Sequence, residues 1–252
     1  MTVSTFRPMV ITPYYKENPA LLRRCMKSVR DQTTPTEHML VADGHPQDWI
    51  DAEPVRHLKL DRAHGDFGNT PRGVGSLLAA AEGFAPIMML DADNWLEPAH
   101  VESCLHAAAS SPGTDFVVTA SLLRRPDESI MPIPSRPTLE HVDTSCFVFF
   151  PGSYQMLAVW ALIPQQMSPI GDRVFWAAMR ARGLAGIAVT DPPTVNYHCL
   201  WETYYRALGE PAPPDAKPNI DSAPIHQWWS ALSQEERELI TRRVGISLDA
   251  IS

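Results

Sequence analysis

The sequence predicts an α/β fold: a single Rossmann-like, mostly parallel sheet flanked by helices, followed by a C-terminal arm. Three observations carry this reading. Met9-Val10-Ile11-Thr12 and Met39-Leu40-Val41-Ala42 are short apolar runs separated by a helical stretch, and the second ends in Asp43-Gly44-His45-Pro46. Strand, helix and strand with acids and turn residues at the strand ends open a doubly wound sheet. A third apolar run, Pro86 to Leu90, ends in Asp91-Ala92-Asp93-Asn94 and reads as a strand buried on both faces. Ligands of open α/β sheets bind beyond the carboxyl ends of the strands, where Asp43, Asp91 and Asp93 fall.

The elements follow in order. The first strand is expected to stop at Pro13, and Asn18-Pro19 opens a helix with an N-cap and an N1 proline. That helix, Ala20 to Gln32, carries Leu22, Cys25, Met26 and Val29 on one stripe. Arg56 to Leu60 reads as a third strand. The turn-rich loop His64 to Gly73 opens a helix over Val74 to Glu82, and residues 97–110 read as another helix. Asp115 to Leu123 and Cys146 to Phe150 read as strands, Asp172 to Arg182 as an amphipathic helix, and Val195 to His198 as a last edge strand. Gly209 to Pro224 holds five prolines and reads as a linker or wrapped arm, after which Ser233-x-x-Glu236 opens a helix with a capping box. The expected division is a catalytic domain over residues 1–208 and a Pro-rich linker with a C-terminal helix over 209–252.

Length and composition narrow the function. A chain of 252 residues builds one sizeable core with an appendage. The formal charge of −8 argues against nucleic acid or an anionic membrane as the main partner. Four scattered cysteines without Cys-x-x-Cys, and residues 1–10 without an apolar block, fit reduced thiols in a cytoplasmic protein. Thr144 to Gly171 is free of charge, but its Pro and Gly interruptions leave no run near the ~20 apolar residues a bilayer needs. Peripheral contact at the inner face of a membrane, with a lipid-linked substrate, stays open, as does a homo-oligomer.

Two carboxylates one residue apart at a strand end can hold a hard divalent cation and, through it, a diphosphate. Before Glu97 and Pro98 the same residues also read as a helix cap.

Several segments, taken together, resemble the family 2 glycosyltransferases of the GT-A fold over roughly residues 8–205. "VITPYYKENPALLRRCMKSVRDQT" is similar to that family's opening strand, Pro-x-Tyr-Asn-Glu turn and first helix. "HMLVADGHP" resembles its Asp-Asp-Gly-Ser strand end, "GNTPRGVG" its Ala-Arg-Asn-x-Gly segment, "MMLDADN" its Asp-x-Asp, and "IGDRVFWAAMRARG" the Glu-Asp-x-x-x-Trp helix that carries the catalytic base. Lys16, Ala42 and Gly171 depart from the pattern.

The resemblance implies a metal-dependent, inverting transfer of a sugar from a nucleotide diphosphate, with UDP favoured, to a glycan or lipid-linked acceptor, the chemistry of polysaccharide biosynthesis. It implies Mn²⁺ or Mg²⁺ as cofactor, ligated directly by Asp93, with Asp91 on the ribose or on the metal through water. His198 is placed for a further ligand, or is a histidine that finishes a strand. Asp172 is implied as the general base, against the plain reading of a first-turn acid on a helix dipole. Pro13 and Tyr15 would line the uracil with Glu17 nearby, Asp43 would accept from the base edge, and Arg72 would pair with phosphate or the motif's acids, against a surface ion pair. Asp143 and Trp176 are the acceptor candidates; Trp201, Trp228 and Trp229 compete with ordinary core roles. A sugar nucleotidyltransferase would need a Gly-rich loop where Pro13-Tyr14-Tyr15-Lys16 stands, and a Rossmann dehydrogenase a Gly-x-Gly-x-x-Gly after a strand. A non-catalytic nucleotide-sugar or carbohydrate binder of the same fold has no need of Asp172.

Overall fold

The computed structural model describes residues 6–183 and 186–251. Residues 1–5, part of the stretch read as lacking a leader, lie outside the described residues. The chain forms β1 (Met9–Tyr14), α1 (Pro19–Arg30), β2 (Glu37–Ala42), β3 (Arg56–Lys59), α2 (Asn69–Ala81), β4 (Ile87–Met89), β5 (Trp95–Leu96) and α3 (His100–Ser110). Then come β6 (Phe116–Val118), β7 (Ser121–Arg124), β8 (Ile130–Ser135), β9 (Phe147–Phe149), α4 (Val159–Leu162), α5 (Gly171–Ala181), β10 (Ile187–Val189) and β11 (Val195–His198). Helices α6 (Glu202–Leu208), α7 (Ala223–Ala231) and α8 (Gln234–Val244) follow.

The large sheet has the order β10-β6-β9-β4-β1-β2-β3. Its pairings are parallel except at β9, which runs antiparallel to both β4 and β6. A smaller sheet, β5-β11-β7-β8, stands beside it.

Four expectations are corrected. β1 does not stop at Pro13 but runs on to Tyr14 with Pro13 opposite Val41. The Ile11 carbonyl accepts from Leu90 and the Tyr14 carbonyl from Asp43, so the peptide of Pro13 faces the β4 side, where pairing has already ended at Met89. A missing N–H costs nothing there. Residues 115–123 form two strands, because the chain leaves the large sheet at Thr119-Ala120 and enters the small one as β7. β11 is no edge strand, since it lies between β5 and β7. Finally, α2 begins at Asn69, several residues earlier than its apolar periodicity indicates, and the short strands β8 and β10 had no clear signal.

Each face of the large sheet has its own core. Beneath α1, Tyr14, Leu40 and Ala42 pack with Leu22, Met26 and Ile50. On the other face the rings of Trp160 and Phe175 stack at 4.1 Å and 4°, beside Phe147 and Phe149. Buried aromatic and aliphatic side chains of this size contribute about 1.5–3 kcal/mol each. Ile225, Trp229, Val244 and Leu248 of the C-terminal segment are buried in that same core, and Ser233 and Glu236 form the expected capping box. All four cysteines are free and buried. No described helix is long and apolar enough to cross a membrane.

Candidate active site

The site gathers at the carboxyl ends of β1, β2 and β4. Leu90 still bonds to Ile11, so Asp91 emerges where β4 leaves the sheet. The turn Asp91–Asn94 closes through Asn94 N–H to the Asp91 carbonyl at 3.0 Å. Asp91 and Asp93 do not cap α3, which begins after Ala99. Buried Ser145 accepts at Oγ from the Asp91 N–H (3.1 Å) and from Asn94 Nδ2 (2.9 Å). Asn94 Oδ1 in turn accepts from the His198 N–H at 2.9 Å. One buried amide thus ties the end of β4 to the turn before β9 and to the end of β11.

Arg72, on α2, is buried rather than at the surface. Its guanidinium donates to Asp91 Oδ1 at 2.7 Å and to Asn69 Oδ1 at 3.2 Å, and lies 4.9 Å from the Trp160 ring centre. Asn69 packs directly on Gly171: a Cβ there would sit 2.8 Å from Asn69 Nδ2. The glycine that departs from the family pattern therefore stands where a side chain would crowd Asn69. A continuous line runs from Asp91 through Arg72 and Asn69 to the start of α5.

Burial, and then the neighbouring Asp91, push the Asp93 carboxyl up to about 6, with Lys217 opposing. Lys217 belongs to the Pro-rich arm and places its Nζ 4.0 Å from Asp93 Oδ2. The arm is held there by backbone bonds between Lys217 and Leu200 (2.7 Å) and Glu202 (3.0 Å). Glu17, also raised by burial, feels both Asp91 and Lys217. The His198 imidazole is pushed down by burial and by Arg24, and its Nδ1 is buried without a partner. Among the described residues, no three His, Cys, Asp or Glu side chains gather as a ready metal cluster. Asp91, Asp93 and His198 share one turn and its neighbour without converging.

Of the residues expected to line the uracil, Pro13 is buried below Gly68, while Tyr15 is exposed, edge-on to His45 at 4.5 Å. An open cleft of about 610 Å³ lies between Tyr15–Pro19 and Gly44–Gln47. Asp43 is buried and its carboxylate is already taken by His64.

Asp172, the expected general base, occupies the first turn of α5. Its Oδ2 lies 2.7 Å from His141 Nε2 and its Oδ1 accepts from the Arg173 N–H at 2.7 Å. That bond to Asp172 holds the His141 imidazolium above the ordinary histidine range. Asp143 caps the turn at Thr144–Cys146 through the Ser145 N–H, and burial followed by Asp91 raises its carboxyl. Trp176 is 6% exposed, packed against Phe116 and Phe147, with its N–H on the Thr138 carbonyl, so it presents no open face to a sugar. Trp201 bonds to Tyr197 and Trp229 to Asp249.

The sequence reading leaves out several members of this cluster: Asn69, Ser145, His64 and Lys217. His64 sits in the turn-rich loop before α2, and Asn69 is the first residue of that helix. Ser145 and Lys217 carried no local signal.

The acids and the buried arginine gather beyond the carboxyl ends of the strands, where open α/β sheets bind their ligands. The family model of glycosyl transferase family 2 matches residues 9–156. The chain belongs to that family and is a glycosyltransferase. Its fold is similar to that of S. aureus TarS. The crystal structure of TarS 1–349 with UDP-GlcNAc aligns with a TM-score of 0.61 at 12% identity, over 97% of this chain and 74% of that one. The complex with UDP gives 0.58 at 13% identity over 97% and 74%, and the TarS structure without a residue range gives 0.56 at 13% over 95% and 43%. No curated protein sequence matches the chain.

Proposed function

We propose that this glycosyltransferase is metal-dependent and inverting, and that it moves a sugar from UDP to a glycan or lipid-linked acceptor. The observation that carries the metal is the state of Asp93. A carboxyl raised to about 6 by burial and by Asp91 has, among the described residues, Lys217 at 4.0 Å as the cation facing its oxygens, while Arg72 is engaged by Asp91 and Arg24 by the Asp93 carbonyl. Carboxylate and phosphate oxygens suit Mg²⁺ or Mn²⁺, so these residues fit such an ion. Asp93 would hold it, with Asp91 and the unpartnered His198 imidazole as further candidates. A bound divalent ion neutralises the charge that builds on a leaving diphosphate.

The chain's own residues supply the rest. Arg72 fixes Asp91 and adds buried positive charge beside it. Pro13, Tyr15 and Glu17 flank the nucleotide cleft, where an aromatic face stacks on a base. Asp172 takes the proton of the attacking hydroxyl, with its carboxylate oriented by His141 and by the Arg173 N–H. Asp143, raised in the same cluster, would touch the acceptor sugar. Residues 209–252 act as an arm on the catalytic domain 1–208, and the arm's Lys217 reaches the acids. The family's Asp-x-Asp and its single-displacement habit support the reading. So do the TarS complexes with UDP and UDP-GlcNAc, in which the similar fold holds a uridine nucleotide.

A thermal-shift panel of UDP, GDP, CMP and dTDP, each with Mn²⁺ or EDTA, tests it. A bound ligand stabilises by RT ln(1 + [L]/Kd). The expected result is a shift with UDP in Mn²⁺ that EDTA removes. No shift with any nucleotide would move the protein to the non-catalytic class.

A further inference from the structure

Asp43 was expected to accept from the donor's base edge, but its carboxylate is already engaged. Two groups of His64 bond to it. The backbone N–H donates to Oδ1 at 3.0 Å and Oδ2 at 3.2 Å, and ring Nδ1 meets Oδ1 at 2.7 Å. Asp43 is 4% exposed, so little room remains for a ligand. An ionised carboxylate only accepts, so Nδ1 carries the proton in this pair, and in the neutral ring the other nitrogen keeps its lone pair. That nitrogen, Nε2, has no protein partner among the described residues and is not buried.

The ring is held on Asp43, the residue just before Gly44, His45, Pro46 and Gln47, which line the cleft beside Tyr15. Asp43 bonds to the end of β1 through its N–H and the Tyr14 carbonyl at 2.8 Å. Gly44 follows with φ +72°, and a Cβ there would lie 2.2 Å from the Ala63 nitrogen, so only glycine lets the 61–64 loop close on the end of β2. His45 comes next and meets the Tyr15 ring edge-on at 4.5 Å. A base stacked on Tyr15 would turn its edge toward the end of β2, where His64 Nε2 is an acceptor without a protein partner among the described residues.

We propose that His64, oriented by Asp43, is the specificity-determining residue for the donor base: Nε2 accepts the N3–H of uracil. Cytosine carries a lone pair at N3 and meets Nε2 with two acceptors face to face. Asp43 is then a positioning residue that sets the tautomer, and the ligand class is a pyrimidine nucleoside diphosphate with an imide N–H. This rests on the nucleotide-donor reading above and adds the group that selects the base.

The test is calorimetry in Mn²⁺ with UDP, CDP and 3-methyl-UDP, which lacks the N3–H, on the wild-type chain and on His64→Ala. Losing one hydrogen bond with its partner left unpaired corresponds to about tenfold in Kd. Wild type should bind UDP about tenfold more tightly than either CDP or 3-methyl-UDP. His64→Ala should bring UDP down to their level and leave those two unchanged. Equal affinity of wild type for UDP and 3-methyl-UDP overturns the proposal without need of a variant. A uniform loss of all three in a His64→Ala protein of normal Tm overturns it too, because the residue then only supports the loop. Binding of none of the three to wild type would instead remove the donor reading itself, a result distinct from either.

Discussion

Asp91 and Asp172 stand at opposite ends of one polar line and are held in different ways. Asp91 leaves a buried strand, is gripped by the buried Arg72, and has its backbone fixed by Ser145. Asp172 sits in the first turn of a helix, and its partner His141 lies on a loop whose Leu139 is 68% exposed. The proposed donor half is built into the sheet, whereas the proposed acceptor half leans on a surface segment. Few buried contacts and exposed backbone hydrogen bonds are the marks of low local stability. The donor half is thus expected to be preformed and the acceptor half to adjust when the second sugar arrives.

Four measurements can break or sharpen that contrast. The largest effect belongs to Asp172→Asn. Transfer should fall by about 10²–10⁴-fold while Mn²⁺-dependent UDP affinity stays as it was. Retained transfer would take Asp172 out of the chemistry. Next is Asp93→Ala, for which Mn²⁺-dependent UDP binding should vanish in calorimetry. Unchanged affinity would place the cation elsewhere.

The third is a pH dependence. The Asp93 carboxyl lies at about 6 in the fold against 3.8 unperturbed. Between those values the folded chain binds the extra proton, so the metal-free protein loses stability as pH rises through the window. Asp93→Asn removes that slope. The Tm of the variant minus that of wild type should grow from about pH 4 to about pH 6 and level off above. Buried His38 and His100, pushed down by burial to about 3 and about 4, act with the opposite sign in both proteins and cancel in the difference. A flat difference would mean that Asp93 is not held in a charge-poor place.

The smallest effect is at Phe67, which has φ +56° and is 67% exposed in the loop before α2. A left-handed backbone costs a non-glycine residue about 1–2 kcal/mol, partly offset by the extra freedom glycine gives the unfolded chain. Phe67→Gly should therefore raise Tm by about 1–3 °C in a chain of this size. A lower Tm would show that the ring packs more than its exposure indicates.

The same contrast explains what the sequence could disclose. Strand-end residues such as Asp43, Asp91 and Asp93 are legible because an apolar run of period-free pattern announces the strand and fixes where its end must lie. The order of β1, α1, β2 and β4 was readable for that reason. Pro13 misled because a proline is harmless wherever its peptide faces a neighbour that has already departed, and that depends on register. The split of residues 115–123 between two sheets, and β11 in the middle of the smaller one, depend on long-range pairing that no local pattern encodes. In the site, Asn94 and Ser145 act through bonds that span 51 to 104 residues of sequence, while His64 was hidden because Asp43 looked sufficient by itself. Trp176 misled in the other direction: an indole beside a helix-borne acid reads as a sugar platform, yet its ring fills the space between Phe116 and Phe147.

The buried cysteines have a practical side. Cys25 is pushed up to about 12, and burial raises Cys104, Cys146 and Cys199 above the ordinary thiol range as well. The thiolate is the reactive form, so none of the four offers a maleimide or an oxidant an accessible nucleophile while the chain is folded. For labelling chemistry the native protein already behaves as cysteine-free. A single Leu139→Cys would place one fluorophore on the acceptor loop, and its emission would report that loop's response to an arriving sugar in real time.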